Sequence, residues 1–461
     1  MTASNPFNAE VVSSSVSVAG REDIDAAVSA AQTTFLGKWS KLKGKERGAR
    51  LNKFADLALR DAEELARLES TCSGIPFSIV KDRALPIMAD HFRFYAGLAD
   101  MIAGGSYPVD GDGGAYSISR KQPYGVCALI CAYNASFIYV GTKAAPALAA
   151  GNTVIATLTF WCLALGKLFI EAGFPPGAVN IVSGAAETGS LLAIHPQIRL
   201  ISFTGSIPTG KKISEAAAKS NLKKTILELG GKSAAIVFED ADLDSAVQSC
   251  ALNVLALSGQ SCIATSRLYV QQSILSAFIA RLKTTFEYFS AGFGKDPLDP
   301  STKMPPLPNE AQFNRVMQFI ESGKNSGAQL ITGGQRKGSN GYWVEPTLFL
   351  NPQTAVNESD IEKEEIFGPV EVARGFDTEN EVIDWANDTE FGLSGAVFTK
   401  DIARALRVSE KLETAYIVIN QPPVLGSALG IGGWKQSGNG VELGVEGMYE
   451  FLQTKAISIK L

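Results

Sequence analysis

Leu227-Glu228-Leu229-Gly230-Gly231-Lys232-Ser233 is followed, 34 residues after its glutamate, by Gly259-Gln260-Ser261-Cys262. Together these segments set a carboxylate and a glycine-flanked cysteine in a chain with only two histidines. A nucleophilic cysteine usually takes its base from a histidine. His91 and His195, however, stand in helical or turn-like stretches with no link to Cys262. Glu228 is the better partner. A glutamate cannot hold a thiolate by charge pairing, so it suits a different task, activating water against an acyl-enzyme after the cysteine has acted.

Working outward, short apolar runs alternate with helical patterns. Thr153-Val154-Ile155-Ala156 precedes a helix to Glu171, and Val179-Asn180-Ile181-Val182 precedes Leu191. Leu200-Ile201-Ser202-Phe203 precedes a helix over Lys211 to Ala218, and Ala234 to Phe238 follows the Glu228 segment. Short buried strands alternating with helices imply a parallel, helix-covered sheet. A second series follows Cys262: the strand Arg267 to Val270, the helix Ile274 to Phe289, and strands at Tyr342 to Pro346 and Ala396 to Thr399. Helical spacing at Asp23 to Val28 and from Glu46 to Ser70 predicts an N-terminal helical cap. Ala115 to Arg120 alternates like an exposed arm strand, and Val126 to Ile130 is β-rich. An exposed arm strand is an edge liability, so pairing with Ala456 to Ile459 of a partner subunit is expected.

With 461 residues, 46% hydrophobic and 19% charged, the chain has ordinary globular usage and length for two or three domains. A net charge of −5 and a pI near 5.4 supply no basic field for nucleic acid or anionic lipid. Small molecules are the expected ligands. Six cysteines show no paired metal spacing and Met1 to Ser4 carries no leader signal, which reads as a reducing, cytoplasmic setting. The longest apolar stretch, Gly125 to Gly141, is too short and too polar to span a bilayer. The ending Ile459-Lys460-Leu461 is a poor match to a peroxisomal address.

Gly205-Ser206-Ile207-Pro208-Thr209-Gly210-Lys211-Lys212 nearly spells a P-loop, but Lys212 stands where a hydroxyl would hold Mg²⁺. A strand before it and a helix after it suit an anion at a helix N-terminus. No GxGxxG is present.

The Glu228 and Cys262 segments resemble those of the NAD(P)-dependent aldehyde dehydrogenase superfamily. The resemblance continues in Phe203-Thr204-Gly205-Ser206, in Glu364-Glu365-Ile366-Phe367-Gly368-Pro369-Val370 and in Gly432-Gly433-Trp434-Lys435-Gln436-Ser437-Gly438. The blocks keep the family's order from about Asn5 to the C-terminus. The resemblance implies that Cys262 attacks an aldehyde to give a thiohemiacetal, which loses hydride to the nicotinamide and becomes a thioester. It implies that Glu228 deprotonates the hydrolysing water, a base that the coenzyme A-dependent branch generally lacks. The Cys262 N–H and the Asn134 side-chain amide would form the oxyanion hole, where each fixed donor is worth about 2.7–4 kcal/mol. Asn134 stands in Ala132-Tyr133-Asn134-Ala135-Ser136, where the family usually shows Pro-Trp-Asn-Phe-Pro, and only the asparagine is kept.

For the cofactor, NAD or NADP, the resemblance implies contacts from the Gly205-Ser206 loop with Gly210, from Leu229, and from Glu365 and Phe367 at the nicotinamide ribose. The pattern breaks after Gly151-Asn152-Thr153-Val154-Ile155-Ala156. A Lys-Pro-Ser-Glu-type turn that grips the adenosine ribose in the family gives way to Thr157-Leu158-Thr159-Phe160-Trp161-Cys162, with the next helix about four residues early. Hydrogen bonds to charged groups are worth roughly 1.5–3 kcal/mol each, so the loss weakens cofactor binding by about two to four powers of ten.

The expected architecture is α/β. It comprises a Rossmann-type, parallel-sheet dinucleotide-binding domain (1–108 and 125–229), an α/β catalytic domain (230–440) and a β oligomerisation arm (109–124 and 441–461). A homodimer or homotetramer acting on a small aldehyde is expected, with no nucleic-acid or membrane partner and no metal. Phe137, Tyr139, Leu257 and Ile263 suggest an uncharged, aromatic or long-chain aldehyde. Two rivals stand beside this reading: a relative that has lost its cofactor and serves as a binding or scaffold protein, and a cofactor-free thioesterase or esterase using Cys262 and Glu228.

Overall fold

A computed structural model describes residues 2–108, 115–351, 360–424 and 426–460. It is an α/β protein built on a six-stranded and a seven-stranded sheet, with a three-stranded ribbon and two two-stranded pairs among the described residues. The first sheet runs Gly438–Asn439, Lys224–Glu228, Ile198–Thr204, Val126–Ile130, Thr153–Leu158 and Val179–Ser183. All its strands are parallel except the short Gly438–Asn439 edge. All six residues of Thr153–Leu158 are buried, as a strand covered on both faces requires. The earliest strand, Val126–Ile130, lies between Thr153–Leu158 and Ile198–Thr204, so strand order reverses beside it. Ligands of open α/β sheets sit outside the carboxyl ends of the strands at such a reversal.

The second sheet is ordered Gln329–Thr332, Thr347–Asn351, Val370–Phe376, Arg267–Gln271, Ala234–Val237, Ser394–Phe398, Tyr416–Ile419. Only Gln329–Thr332 runs antiparallel. Leu268, Val270, Leu348 and Phe398 pack with the helices Leu243–Leu255 and Leu275–Ala291 in its core.

Several local expectations are corrected. The helical pattern of 46–70 divides into Gly44–Arg60 and Ala62–Ser73. Asp61 at the junction leaves the helical region (φ −95°, ψ 16°) and pairs with Arg60 at 2.7 Å. The strand expected at 342–346 begins instead at Thr347, because Pro346 has no N–H for the ladder. The helix expected from Lys211 starts at Ile207, behind Ser206 and with Pro208 in its first turn, where a missing N–H costs nothing.

The arm strand pairs within its own chain. Ala115–Pro123 runs antiparallel to Leu452–Lys460 over nine residue pairs, including Ile118 with Ile457 and Tyr116 with Ile459. The edge that called for a partner subunit is therefore covered by the C-terminal strand of the same protomer. Met448 and Phe451 pack into the first core, so the ribbon starts at Leu452 rather than near 441. Residues 109–114 of the expected arm lie outside the described residues, as does Leu461.

Candidate active site

Four consecutive strand ends of the first sheet deliver the site. Past Ile130 come Cys131 to Asn134, past Thr204 come Gly205 and Ser206, past Glu228 come Leu229 and Gly230, and Thr157 to Trp161 close the fourth position. Together they wall one cleft of about 1290 Å³ that runs from Cys262 and Asn134 to Ser206 and Lys212.

Cys262 is half-buried at one end. Burial pushes its thiol up to about 12, reinforced by the Glu365 and Glu228 carboxyls, while the backbone N–H groups of Cys262 and Ile263 act against the rise. Its loop approaches Gly230-Gly231 so closely that a Cβ on Gly231 would collide with the Cys262 carbonyl oxygen. A Cβ on Gly230 would collide with the Glu365 carboxyl. The two glycines thus let three chain segments meet where any side chain would part them.

Asn134 is buried and shares the cleft wall with Cys262. Its Nδ2 donates to the Gln260 carbonyl at 2.9 Å, and its Oδ1 accepts from the Tyr139 hydroxyl at 3.3 Å. The second N–H of the amide is a further donor. Tyr133, standing where the resemblance expects a tryptophan, donates from its hydroxyl to Gln260 Oε1 at 3.0 Å and meets the Phe367 ring edge-on at 6.3 Å.

Glu228 does not line the cleft; its neighbours Leu229 and Gly230 do. Its Oε1 is buried without a hydrogen-bond partner. Burial raises its carboxyl well above the usual range, Glu442 raises it further and Lys143 opposes the rise. Lys143 forms a buried ion pair with Glu442 and donates to Ser202 Oγ at 2.9 Å. Glu442 was not singled out in the sequence. The available signal was the repeated tripeptide, Glu228-Leu229-Gly230 and Glu442-Leu443-Gly444.

At the other end, Ser206 stands at the N-cap position of the helix Ile207–Ser220 beside the cleft, its hydroxyl 3.0 Å from Thr209 Oγ1 and not bonded to the helix backbone. Thr204 Oγ1 is buried and unpartnered in the same wall. Gly205 lines the cleft and Gly210 does not; a Cβ on Gly210 would reach within 2.7 Å of Leu229, so this glycine seats the helix on the Leu229 strand end. Glu365 Oε1 accepts the Gly231 N–H at 2.9 Å, and burial moves its carboxyl up to about 7 against that bond. Phe367 holds a left-handed backbone (φ 57°). Gln312 stabilises it by donating to the Ile366 and Phe367 carbonyls at 3.0 Å, and Arg315 donates to the Glu365 carbonyl at 3.0 Å.

Of the four residues taken to shape the substrate, only Tyr139 lines the cleft. Phe137 is fully buried in the first core and Leu257 packs against it. Among the described residues no group of three His, Cys, Asp or Glu side chains is placed to hold a metal.

The segment from Thr157 is closed rather than looped out. The strand continues to Leu158, Thr159 Oγ1 donates to Ser136 Oγ at 3.0 Å, and a 3₁₀ turn Phe160–Ala164 leads to the helix Leu165–Glu171. This wall brings no charged side chain to the cleft from 157–161.

The sequence profile described as "Aldehyde dehydrogenase family" matches residues 1–457. Retinal dehydrogenase 2 of Homo sapiens is 42% identical, covering 99% of this chain and 88% of its own. Aldehyde dehydrogenase, cytosolic 1 of Rattus norvegicus is 41% identical, over 99% and 91%. Among solved structures, the NAD⁺ complex of aldehyde dehydrogenase from Bacillus cereus superposes with a TM-score of 0.95 at 35% identity, over 100% of this chain and 93% of that one.

Proposed function

The chain belongs to the aldehyde dehydrogenase family and oxidises an aldehyde to a carboxylic acid with a nicotinamide dinucleotide, and we propose that Cys262, Asn134 and Glu228 carry the chemistry. One observation carries the assignment: a single cleft holds the Cys262 thiol at one end and the N-terminus of the helix Ile207–Ser220 at the other. The aldehyde carbon meets the sulfur, and the developing oxyanion takes the Cys262 N–H and the second N–H of Asn134. Buried as a thiol rather than a thiolate, Cys262 gives its proton to water in the open cleft as its sulfur attacks the aldehyde carbon. A nicotinamide dinucleotide, when bound, would supply the hydride acceptor that turns the Cys262 thiohemiacetal into a thioester. Glu228 then takes a proton from water attacking the thioester, its carboxyl turning from the Lys143–Glu442 side toward the cleft. Its raised affinity for protons makes its carboxylate a stronger base than an exposed glutamate.

The residues present fit the dinucleotide. The N-terminus of Ile207–Ser220, with Ser206 and the unpartnered Thr204 hydroxyl, would hold the pyrophosphate. Glu365 would hold ribose hydroxyls, with Phe367 and Leu229 packing beside it. We assign the first sheet with its helices to dinucleotide binding and the second to catalysis. We also assign the ribbon to a homodimer or homotetramer interface, tested by light scattering after size exclusion. No helix among the described residues is long and apolar enough to cross a membrane. The cytosolic name of a relative and six cysteines free of disulfides support a cytoplasmic place.

Cys262→Ala is expected to retain the fold and lose aldehyde-dependent reduction of the cofactor to background. Glu228→Gln is expected to give one equivalent of reduced cofactor per site in a stopped-flow burst and then stall. Sustained turnover by Cys262→Ala, or a Glu228→Gln enzyme with no burst, would overturn these roles.

A further inference from the structure

Asn134 is held at both ends of its amide. At one end Nδ2 donates to the Gln260 carbonyl at 2.9 Å, and at the other Oδ1 accepts from the Tyr139 hydroxyl at 3.3 Å. A carbonyl oxygen only accepts, so the amide nitrogen must face Gln260 and the amide oxygen must face Tyr139. The hydroxyl is therefore the donor of this pair.

The two holds differ in kind. Gln260 is buried and fixed: its N–H donates to the Leu257 carbonyl at 3.1 Å, and its Nε2 donates to the Leu257 and Pro306 carbonyls at 2.9 and 3.0 Å. The oxygen end depends on one side chain. Among the described residues no donor other than Tyr139 reaches Asn134 Oδ1. Tyr139 ends the short helix Ser136–Tyr139 and lines the cleft together with Cys262. Burial, with Cys262 and Glu442 nearby, keeps its proton well above the usual tyrosine range against the Asn134 contact, so the hydroxyl stays a donor.

Little else stiffens this loop. Ala132, Ala135 and Ser136 stand where the family shows proline, phenylalanine and proline. The rings that would fix the backbone on either side of Asn134 are absent, and hydrogen bonds hold it instead, among them Ser136 Oγ to the Tyr133 carbonyl at 3.2 Å.

We propose that Tyr139 is a positioning residue for the oxyanion hole: its hydroxyl, donating to Asn134 Oδ1 across from the Gln260 carbonyl, fixes the rotation of the amide and so the direction of the N–H left for substrate. The inference rests on the reading of Asn134 as an oxyanion donor. As negative charge develops on the substrate oxygen, the N–H facing it polarises the amide and makes Oδ1 a better acceptor, so the Tyr139 bond strengthens in the transition state. A contact that gains there raises the rate of the chemical step and leaves substrate binding alone. Without the hydroxyl, a buried amide oxygen is left unpaired and the side chain can pivot on its Gln260 bond.

The test follows the burst of NAD reduction in the full-length protein, with hexanal or benzaldehyde, whichever the wild type oxidises faster. Tyr139→Phe keeps the ring and removes only the donor. It should lower the maximal burst rate at least about tenfold, short of the roughly hundredfold or more for losing the amide itself in Asn134→Ala. The aldehyde concentration for half-maximal rate should move by less than about threefold. In the Asn134→Ala background the same replacement should cost less than about twofold, since no amide remains to be aimed. Tyr139→Met also lacks the donor and should fall with Tyr139→Phe, which separates the hydroxyl from the packing of the ring. A wild-type burst rate in either Tyr139 variant, a loss confined to the half-maximal concentration, or an equal loss with and without the Asn134 amide would overturn the proposal and leave the oxyanion reading standing. Asn134→Ala at the wild-type rate would overturn that reading, and the proposal with it.

Discussion

Glu371 sits fully buried in the strand Val370–Phe376 with neither carboxyl oxygen hydrogen-bonded. Burial alone lifts its carboxyl well above the usual range, and it in turn helps raise the Cys250 thiol. An ionised carboxylate there would be uncompensated, so the folded chain keeps the proton that the unfolded chain releases above about pH 4.3. Because the folded state binds the proton more tightly, this residue's contribution is most favourable below the unfolded value and is lost as pH rises toward the folded one. Glu371→Gln should therefore gain on the wild type as pH rises, by up to about 1.4 kcal/mol per pH unit. Urea midpoints at pH 5, 6.5 and 8 would show the two curves diverging, and parallel curves would refute a neutral Glu371. The residue also marks what sequence reading reaches. Cys262, Glu228 and Glu365 were legible because each sits in a glycine-bearing block that keeps its spelling. Glu371, in an ordinary strand, has no such flag, and its partnerless state depends on what folds over it.

The connection from Thr153–Leu158 to Leu165–Glu171 is the element in which this chain departs most from the family it resembles. In sequence the departure reads as a lost turn. In space it is a strand running into a 3₁₀ turn whose Trp161 is buried, with Glu69 beside it pushed up to about 8 by burial. Lys211 and Lys212 line the far side of the cleft, so cationic charge is present there but none comes from this wall. Restoring a Lys-Pro-Ser-Glu turn between Ala156 and Leu163 should tighten dinucleotide binding at least about tenfold, a low bound for two contacts at roughly 1.5–3 kcal/mol each. In the native chain, dissociation constants for NAD and NADP should lie within about a hundredfold of each other, roughly 2.7 kcal/mol. Titration followed by tryptophan fluorescence measures both, and a wider gap would show that another residue reads the ribose 2′ position. Strand and helix identities along this stretch followed from apolar runs. The Tyr342–Pro346 strand failed because one proline moved the ladder past it, and the arm pairing failed because nothing local says which chain an edge strand joins.

At the scale of the molecule the two sheets meet at Glu228. Trp434–Lys435 pairs with Phe391–Gly392 near the second sheet, and three residues on Gly438–Asn439 pairs with Leu227 and Glu228 on the edge of the first. Between them, Ser437 Oγ donates to the Gly230 carbonyl at 2.7 Å and accepts the Gly392 N–H at 2.9 Å. The Lys143–Glu442 ion pair adds a link between residues 299 apart in sequence, a distance no motif spacing encodes, which is why Glu228 was legible as the proposed base and its electrostatic setting was not. The crossing depends on Gly438, whose backbone has φ 143° and whose missing Cβ would strike the Leu227 carbonyl oxygen. Gly438→Ala should thus push the crossing segment off the Glu228 strand. The backbone strain costs on the order of 1–3 kcal/mol, and a misplacement of about 1 Å at a reacting group lowers turnover by up to about a hundredfold. Gly173→Ala is the control, since Gly173 also has a left-handed backbone (φ 85°) but nothing within 4 Å of its Cβ position. Both variants should lose Tm. Only Gly438→Ala should lose kcat by tenfold or more, with its single-turnover burst kept and the later hydrolysis slowed. Equal kcat in the two variants would show that Glu228 is positioned by its own sheet alone and that the crossing segment does not act on it.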